Sequence, residues 1–106
     1  NRLFTNLFAN AVEACNSNSV CKIEVRESIE NNMLRVAIRD NGEGIAPEMQ
    51  DRIFVPNFTT KSSGTGLGLA MCKGIVEKAH GRIWFETSQG QGTVFFVELP
   101  LVTVQD

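Results

Sequence analysis

The chain has 106 residues, 42% of them hydrophobic, with seven Phe and one Trp, which suffices for one packed domain and not for two. Formal net charge is −2 and the Lys and Arg residues are scattered, so the basic stripe of a phosphate-backbone binder is missing and no nucleic-acid partner is expected. No run reaches the roughly 18 apolar residues of a membrane helix, and the opening Asn1-Arg2-Leu3-Phe4-Thr5-Asn6 lacks the basic and apolar regions of a signal peptide.

Residues 2–15 place Leu3, Phe4, Leu7, Phe8, Ala11, Val12 and Cys15 at three- and four-residue spacing, which predicts an amphipathic helix. Residues 21–27 alternate, Ile23 and Val25 against Lys22, Glu24 and Arg26, and read as a half-buried strand. Residues 33–39 repeat the pattern with Leu34, Val36 and Ile38 opposed to Arg35 and Arg39, and the polar link Glu30-Asn31-Asn32 predicts a hairpin. A Gly-rich turn spans Asp40 to Ile45, Pro47 suits the first turn of a short helix through Phe54, and residues 55–66 have the composition of a loop. Leu67 to Ala79 reads as a second long helix stopped by Gly81, followed by strands 82–87 and 93–99 across the Gly90/Gly92 turn. Helices therefore fall between strand hairpins and not between single strands. That order predicts an α+β two-layer sandwich, a mixed and mostly antiparallel sheet covered on one face by helices, with residues 1–106 as a single domain.

Cys15, Cys21 and Cys72 are odd in number and far apart, no C-x-x-C occurs, and His80 is the only histidine. A four-ligand zinc site does not fit that spacing. The three read as reduced thiols of a cytoplasmic domain.

Three segments carry chemistry. Asn6 and Asn10 lie four apart and share a helix face, although Asn is roughly half a kcal/mol worse than Ala inside a helix. They are either surface or capping residues, or amide oxygens facing a pocket; Mg²⁺ takes one or two such hard oxygens from protein and the rest from phosphates and water. In Asp40-Asn41-Gly42-Glu43-Gly44-Ile45, an Asp closing a buried strand can accept from an exocyclic amine, while Gly42 and Gly44 allow close backbone approach or positive φ; an ordinary turn is the plainer alternative. Gly64-Thr65-Gly66-Leu67-Gly68-Leu69 runs into a helix start, the context for amide N–H groups to meet a phosphate. It is neither a Walker A motif nor a dinucleotide fingerprint. Between the last two lies a lid-like segment in which Lys61 is placed to reach a terminal phosphate or is simply solvated, and in which Phe54 and Phe58 read as packing anchors.

Together these segments resemble the superfamily of ATP-binding domains shared by gyrase, heat-shock chaperones, histidine kinases and MutL. Asn6-Leu7-Phe8-Ala9-Asn10-Ala11 is similar to its N box, Asp40-x-Gly42-x-Gly44 to its G1 box, Phe54 and Phe58 to its F box, and Gly64 to Leu69 to its G2 box. The ending Gly92-Thr93-Val94-Phe95-Phe96-Val97-Glu98-Leu99-Pro100 is similar to that of sensor histidine kinases, and Asn10-Ala11-Val12-Glu13-Ala14 with Pro56-Asn57-Phe58-Thr59-Thr60-Lys61 resembles their nitrogen-regulation subgroup.

The resemblance implies a Bergerat-type fold that binds MgATP and passes the γ-phosphoryl group to a histidine on a dimerisation domain of the same protein, with a response-regulator receiver as the next acceptor. It implies Asn10 as the Mg²⁺ ligand, Asn6 in support near ion and phosphates, and Lys61 at the terminal phosphate. It implies Asp40 at the adenine amino group with Thr93 beside it, and Gly42, Gly44, Ile45, Phe54, Gly64, Thr65, Gly66, Leu67, Gly68 and Leu69 around the nucleotide. The hydrolytic branches carry a general-base Glu where this chain has Asn6, which cannot accept a proton at neutral pH. An anti-sigma type Ser/Thr kinase and a non-catalytic ATP-binding module are the alternative readings. Glu13 departs from the Lys or Arg common at that position, which places more weight on Lys61. The chain starts inside the first helix and holds no phosphoacceptor hairpin; His80, at the helix stop, reads as a capping residue.

Overall fold

A computed structural model describes residues 2–15, 20–55 and 68–101. Helix α1 (Arg2–Ala14) is followed by strands β1 (Ile23–Glu30) and β2 (Met33–Asp40), a 3₁₀ turn (Pro47–Met49), helix α2 (Gly68–Lys78), and strands β3 (Arg82–Ser88) and β4 (Gly92–Pro100). The strands form one sheet in the order β1-β2-β4-β3, and all three pairings are antiparallel. Both helices pack over β2, β4 and β3 on one face, giving the two-layer α+β sandwich the element order predicts.

The helix-facing side of the sheet is an apolar ladder. Val36 pairs with Val97 and Ile38 with Phe95 across β2 and β4, while Ile83 and Phe85 continue the same rows on β3. Leu3, Leu7 and Ala11 of α1, together with Cys72 and Val76 of α2, close over that ladder with exposures of 2% or less. Burying each such leucine is worth about 1.5–3 kcal/mol. Phe54, past the 3₁₀ turn, sits 6.1 Å from Phe85 and 6.4 Å from Phe95, edge-on to the latter, so it anchors its segment to the sheet.

Three expectations are corrected. First, β1 is an edge strand outside the helical cover. Val25 and Ile29 are 42% and 67% exposed, and Ile23 alone of that strand packs on the core. The same lateral limit leaves Phe8 and Val12 of the α1 stripe exposed. Second, α2 ends on His80, not Gly81, as its left-handed residue (φ 67°); His80 N–H donates to Glu77 O and Gly81 N–H to Val76 O, a Schellman closure. Gly81 is required for another reason: a Cβ there would stand 2.0 Å from the Glu98 carbonyl oxygen.

The third correction concerns the cysteines. Cys15 and Cys21 form a disulfide with Cα atoms 5.5 Å apart, and Cys72 alone is a free, buried thiol. Asn41 brings the pair together. Its Nδ2 donates to Val20 O at 2.7 Å and its Oδ1 accepts from Lys22 N–H at 2.8 Å, so Cys21 is gripped on both sides against the end of α1. Burial raises the Cys72 thiol to about 11.

The β1–β2 turn uses Asn31 (φ 55°) and Asn32 (φ 62°), the pair of left-handed residues a tight hairpin needs. On the outer sheet face Glu98 receives hydrogen bonds from both Arg35 and Arg82, and Trp84 stacks on Phe96 with the two guanidinium groups over its ring. The Arg82 hydrogen bond, then that of Arg35, holds the Glu98 carboxyl below its ordinary value.

Candidate functional site

The apolar ladder ends in a polar row. Asp40 closes β2 directly opposite Thr93, and Thr93 is directly opposite Thr87 on β3. Directly paired residues of antiparallel strands share a face, so the three side chains lie together on the helix-covered side, one step beyond Ile38, Phe95 and Phe85. Asp40 is 3% exposed and Thr93 4%. A carboxylate this buried needs donors. Asp40 Oδ1 accepts from Gly42 N–H at 2.9 Å and Thr93 N–H at 3.3 Å. Thr87 Oγ1 accepts from Ile45 N–H at 2.9 Å, and lies 2.8 Å from Thr93 Oγ1 and 3.1 Å from Gly92 O.

The turn after Asp40 is stitched to three neighbours. Glu43 N–H donates to Ala14 O at the end of α1, Glu43 O accepts from Gly90 N–H, and Gln50 Nε2 donates to Ile45 O. Two glycines allow this. A Cβ on Gly42 would stand 2.1 Å from Ala14 O, and Gly44 has φ 77° with Ser88 O 2.5 Å from where its Cβ would be. The close approach at Gly42 is thus to the backbone of α1.

Asn6 and Asn10 are half-buried one turn apart on α1, and Asn6 faces α2. Asn6 Nδ2 donates to Met71 Sδ at 3.5 Å, and its Oδ1 lies 3.9 Å from a Cβ built on Gly68, the first residue of α2. Leu69 packs on the core behind it. The amide pair, the turn and the polar row are therefore joined by α1, whose flank carries the amides and whose last carbonyl holds the turn. Lys61, Gly64, Thr65, Gly66 and Leu67, with Phe58, lie outside the described residues. A cavity of ≈ 260 Å³ touches Asp40, Thr87 and Thr93 but is walled by Arg39, Glu86 and Val94, so it opens on the outer sheet face, away from the amides.

Two residues of this cluster escape the sequence reading. Asn41 sits inside a common turn tripeptide and gives no sign that its side chain ties residues 20 and 22. Thr87 does carry a signal: it continues the Ile83, Phe85 face of β3, so a hydroxyl stands where the strand's period calls for an apolar residue.

A helix-covered antiparallel sheet ending in a carboxylate and hydroxyl row, with paired amides beside a glycine-initiated helix, defines an α+β domain of the nucleotide-binding kind. The chain belongs to the histidine kinase-, DNA gyrase B- and HSP90-like ATPase family, whose profile matches residues 1–103. Sensor histidine kinase ZraS of Salmonella typhimurium is 38% identical over 104 residues, 98% of this chain and 22% of that protein. Sensor protein kinase WalK of Staphylococcus aureus is 36% identical over 111 residues, 99% of this chain and 27% of that protein. The chain thus spans only a small share of these relatives' length. Among solved structures, the catalytic domain of histidine kinase ThkA in a nucleotide-free form matches with TM-score 0.80 and 39% identity, over 93% of this chain and 64% of that one. Full-length ShkA in complex with AMPPNP matches with TM-score 0.82 and 26% identity, over 99% of this chain and 22% of that one.

Proposed function

We propose that this domain binds MgATP and delivers the γ-phosphoryl group to a histidine on a separate dimerisation domain of its parent protein, with a response-regulator receiver as the following acceptor and the cytoplasm as the site of the reaction. Asp40 takes the adenine amino group; its burial beside Thr93 supports that role. The amide oxygens of Asn10, chiefly, and Asn6 fit a hard cation that brings phosphate and water ligands with it. When bound, Mg²⁺ would neutralise charge developing on the phosphates.

The observation that carries the reading is Asn6. Its amide stands beside the start of α2, at the position where the hydrolytic branches hold a base, and it cannot take a proton from water at neutral pH. A γ-phosphoryl group held there waits for an outside nucleophile. Phosphoryl transfer needs mainly positioning and charge neutralisation, which this chain's amides, row and glycines can supply without an acid–base pair. The membership of ATPase relatives and the AMPPNP complex of ShkA support the nucleotide assignment.

Calorimetric titration with ATP, with and without Mg²⁺ and with GTP as control, tests the binding. Addition of the parent's helical hairpin then tests the transfer, where an acid-labile phosphohistidine is expected. Equal binding of ATP and GTP overturns the adenine assignment, and an acid-stable phosphoserine or phosphothreonine overturns the histidine acceptor.

A further inference from the structure

We propose that Cys15 and Cys21 form a reversible thiol–disulfide site, and that its redox state sets how firmly the turn after Asp40 is held against the end of α1. The effect on nucleotide affinity and the reducing surroundings rest on the function proposed above; the thiol chemistry and the tightening of the turn do not.

A disulfide in the cytoplasm meets thiols that reduce it, and those that form there are mostly transient and redox-sensing. Three observations fit the pair to that use. Cys21 is exposed and Cys15 half-buried, so a dissolved thiol reaches the bond, whereas Cys72 is fully enclosed. The two are only six residues apart in the chain, so the bond constrains the unfolded state less than a long-range one would, and folding protects it less. The fold also provides for the reduced state. Cys15 Sγ lies 3.5 Å from Ala11 O and 3.9 Å from Asn41 Oδ1. A disulfide sulfur has no hydrogen for either oxygen, but a thiol has one. Ala11 O is among the four end carbonyls that the amides of α1 leave over. Asn41 keeps its bonds to Val20 O and Lys22 N–H in both states, because neither involves sulfur. Cys21 thus stays beside Cys15 after reduction, and the bond re-forms as an intramolecular step.

In the exchange, the thiolate of a small reductant of the glutathione class attacks the exposed Cys21 sulfur. The Cys15–Cys21 bond breaks, and Cys15 leaves with the electron pair and takes up a proton. A second reductant thiolate attacks the reductant's sulfur in the mixed disulfide and releases Cys21, which is protonated in turn. Two electrons and two protons pass to the pair, and the reductant departs as its own disulfide.

The pair touches the turn at two points. Ala14, one residue before Cys15, accepts from Glu43 N–H at 2.9 Å, and Asn41 stands between Asp40 and Gly42. The last turn of α1 has no basic residue, so no cation of its own offsets the negative end of the helix dipole. With the bond closed, that end is clamped to the segment entering β1 and the Ala14 carbonyl is fixed. With it open, the end frays and the Glu43 amide loses its partner part of the time.

The test equilibrates this chain in buffers of reduced and oxidised glutathione and counts thiols by alkylation and mass, with buried Cys72 unlabelled in the folded chain. Amide exchange at Glu43 and ATP calorimetry are then read in the two end states. The pair is expected to convert reversibly across these buffers. Once reduced, Glu43 should exchange at least about fivefold faster and ATP should bind at least about fivefold weaker, the lower end of ordinary coupling between sites. Asn41→Ala should shift the conversion toward the dithiol by about two- to tenfold, the worth of a neutral hydrogen bond. The Cys15→Ser, Cys21→Ser double variant should match the reduced chain and ignore the buffer. The wild-type chain alone decides the outcome. A pair that stays oxidised in reduced glutathione, or stays as thiols in oxidised glutathione, overturns the proposal. So does Glu43 exchange, or a measurable ATP affinity, that is equal in the two states. Absence of ATP binding in both states, with thiol count and Glu43 exchange as expected, refutes the nucleotide reading while the redox site stands.

Discussion

Replacing Asp40 separates what the carboxylate does for the fold from what it does for the nucleotide. Its Oδ1 accepts from the backbone N–H groups of Gly42 and Thr93, and an Asn at this position can present its amide oxygen to the same two donors. Asp40→Asn therefore keeps the turn but places an NH₂ group where the adenine amine needs an acceptor. A charge-assisted hydrogen bond of this kind is worth about 1.5–3 kcal/mol, so ATP affinity should fall about ten- to hundredfold. Asp40→Ala removes the acceptor for both backbone donors in a nearly dry environment. It should lose ATP binding to a similar extent and also lose about 1–3 kcal/mol of folding stability. Calorimetric titration with ATP, run beside urea unfolding of each variant, reads both quantities. Full ATP affinity in Asp40→Asn refutes the adenine contact. Equal stability loss in Asn and Ala variants refutes the claim that the two backbone donors depend on this side chain.

Four further outcomes are expected. Asn6→Glu puts a proton acceptor beside the start of α2, so partner-independent phosphate release should rise by at least about tenfold, toward the hundredfold scale of general-base catalysis, with nucleotide binding retained; an unchanged rate with ATP still bound defeats the argument from Asn6. Asn10→Asp adds negative charge beside the phosphates and should shift the Mg²⁺ concentration needed for ATP binding, whereas an unaltered Mg²⁺ response removes Asn10 from the metal site. The Cys15–Cys21 cross-link closes a short loop, six residues in separation, so reduction should cost about 2 kcal/mol and lower the melting temperature by about 10 °C; three free thiols titrating in the unreduced chain refute the pairing. Glu98 has its folded-state value depressed below the ordinary 4.5 by Arg82 and Arg35. Its contribution is thus complete above that ordinary value and lost as pH falls through the lower folded one, so Glu98→Gln should lower stability at neutral pH and flatten the acid limb of a stability–pH curve, the difference from the parent chain shrinking as pH falls.

The parts of the fold legible in the sequence are those governed by period alone. Val36, Ile38 and Asp40 alternate with Arg35 and Arg39, and that alternation fixes which face of β2 is buried whatever lies above it. For β1 the same rule names the face and fails on burial, because cover over Val25 and Ile29 depends on how far α1 reaches sideways, and no local pattern encodes that distance. The left-handed residue ending α2 shows a related limit. Propensity assigns it to glycine, yet the contact with Glu98 requires glycine one residue later, so His80 adopts the strained conformation and Gly81 the crowded one. Cysteine spacing likewise says nothing of Cys15 and Cys21 meeting, since the agent is Asn41, a residue far from both in the chain.

The site follows the same division. Asp40 and Thr93 stand out as members of separate motifs, but their being neighbours is a fact of register, and register is also what adds Thr87. Because side chains alternate along a strand, a slip of one residue in the β2–β4 pairing would carry Arg39 to the inner face in place of Asp40 and put a cation where the carboxylate stands. The features that prevent the slip lie far from the row. They are the paired Val36–Val97 and Ile38–Phe95 contacts beneath the helices, and the Asn31–Asn32 turn that sets the hairpin at the opposite end of β2. The apolar ladder thus has two roles that one set of residues performs together. It forms the floor of the buried core, and it delivers a carboxylate and two hydroxyls to one edge of that floor, where a hydrogen bond is worth more than it would be in solvent.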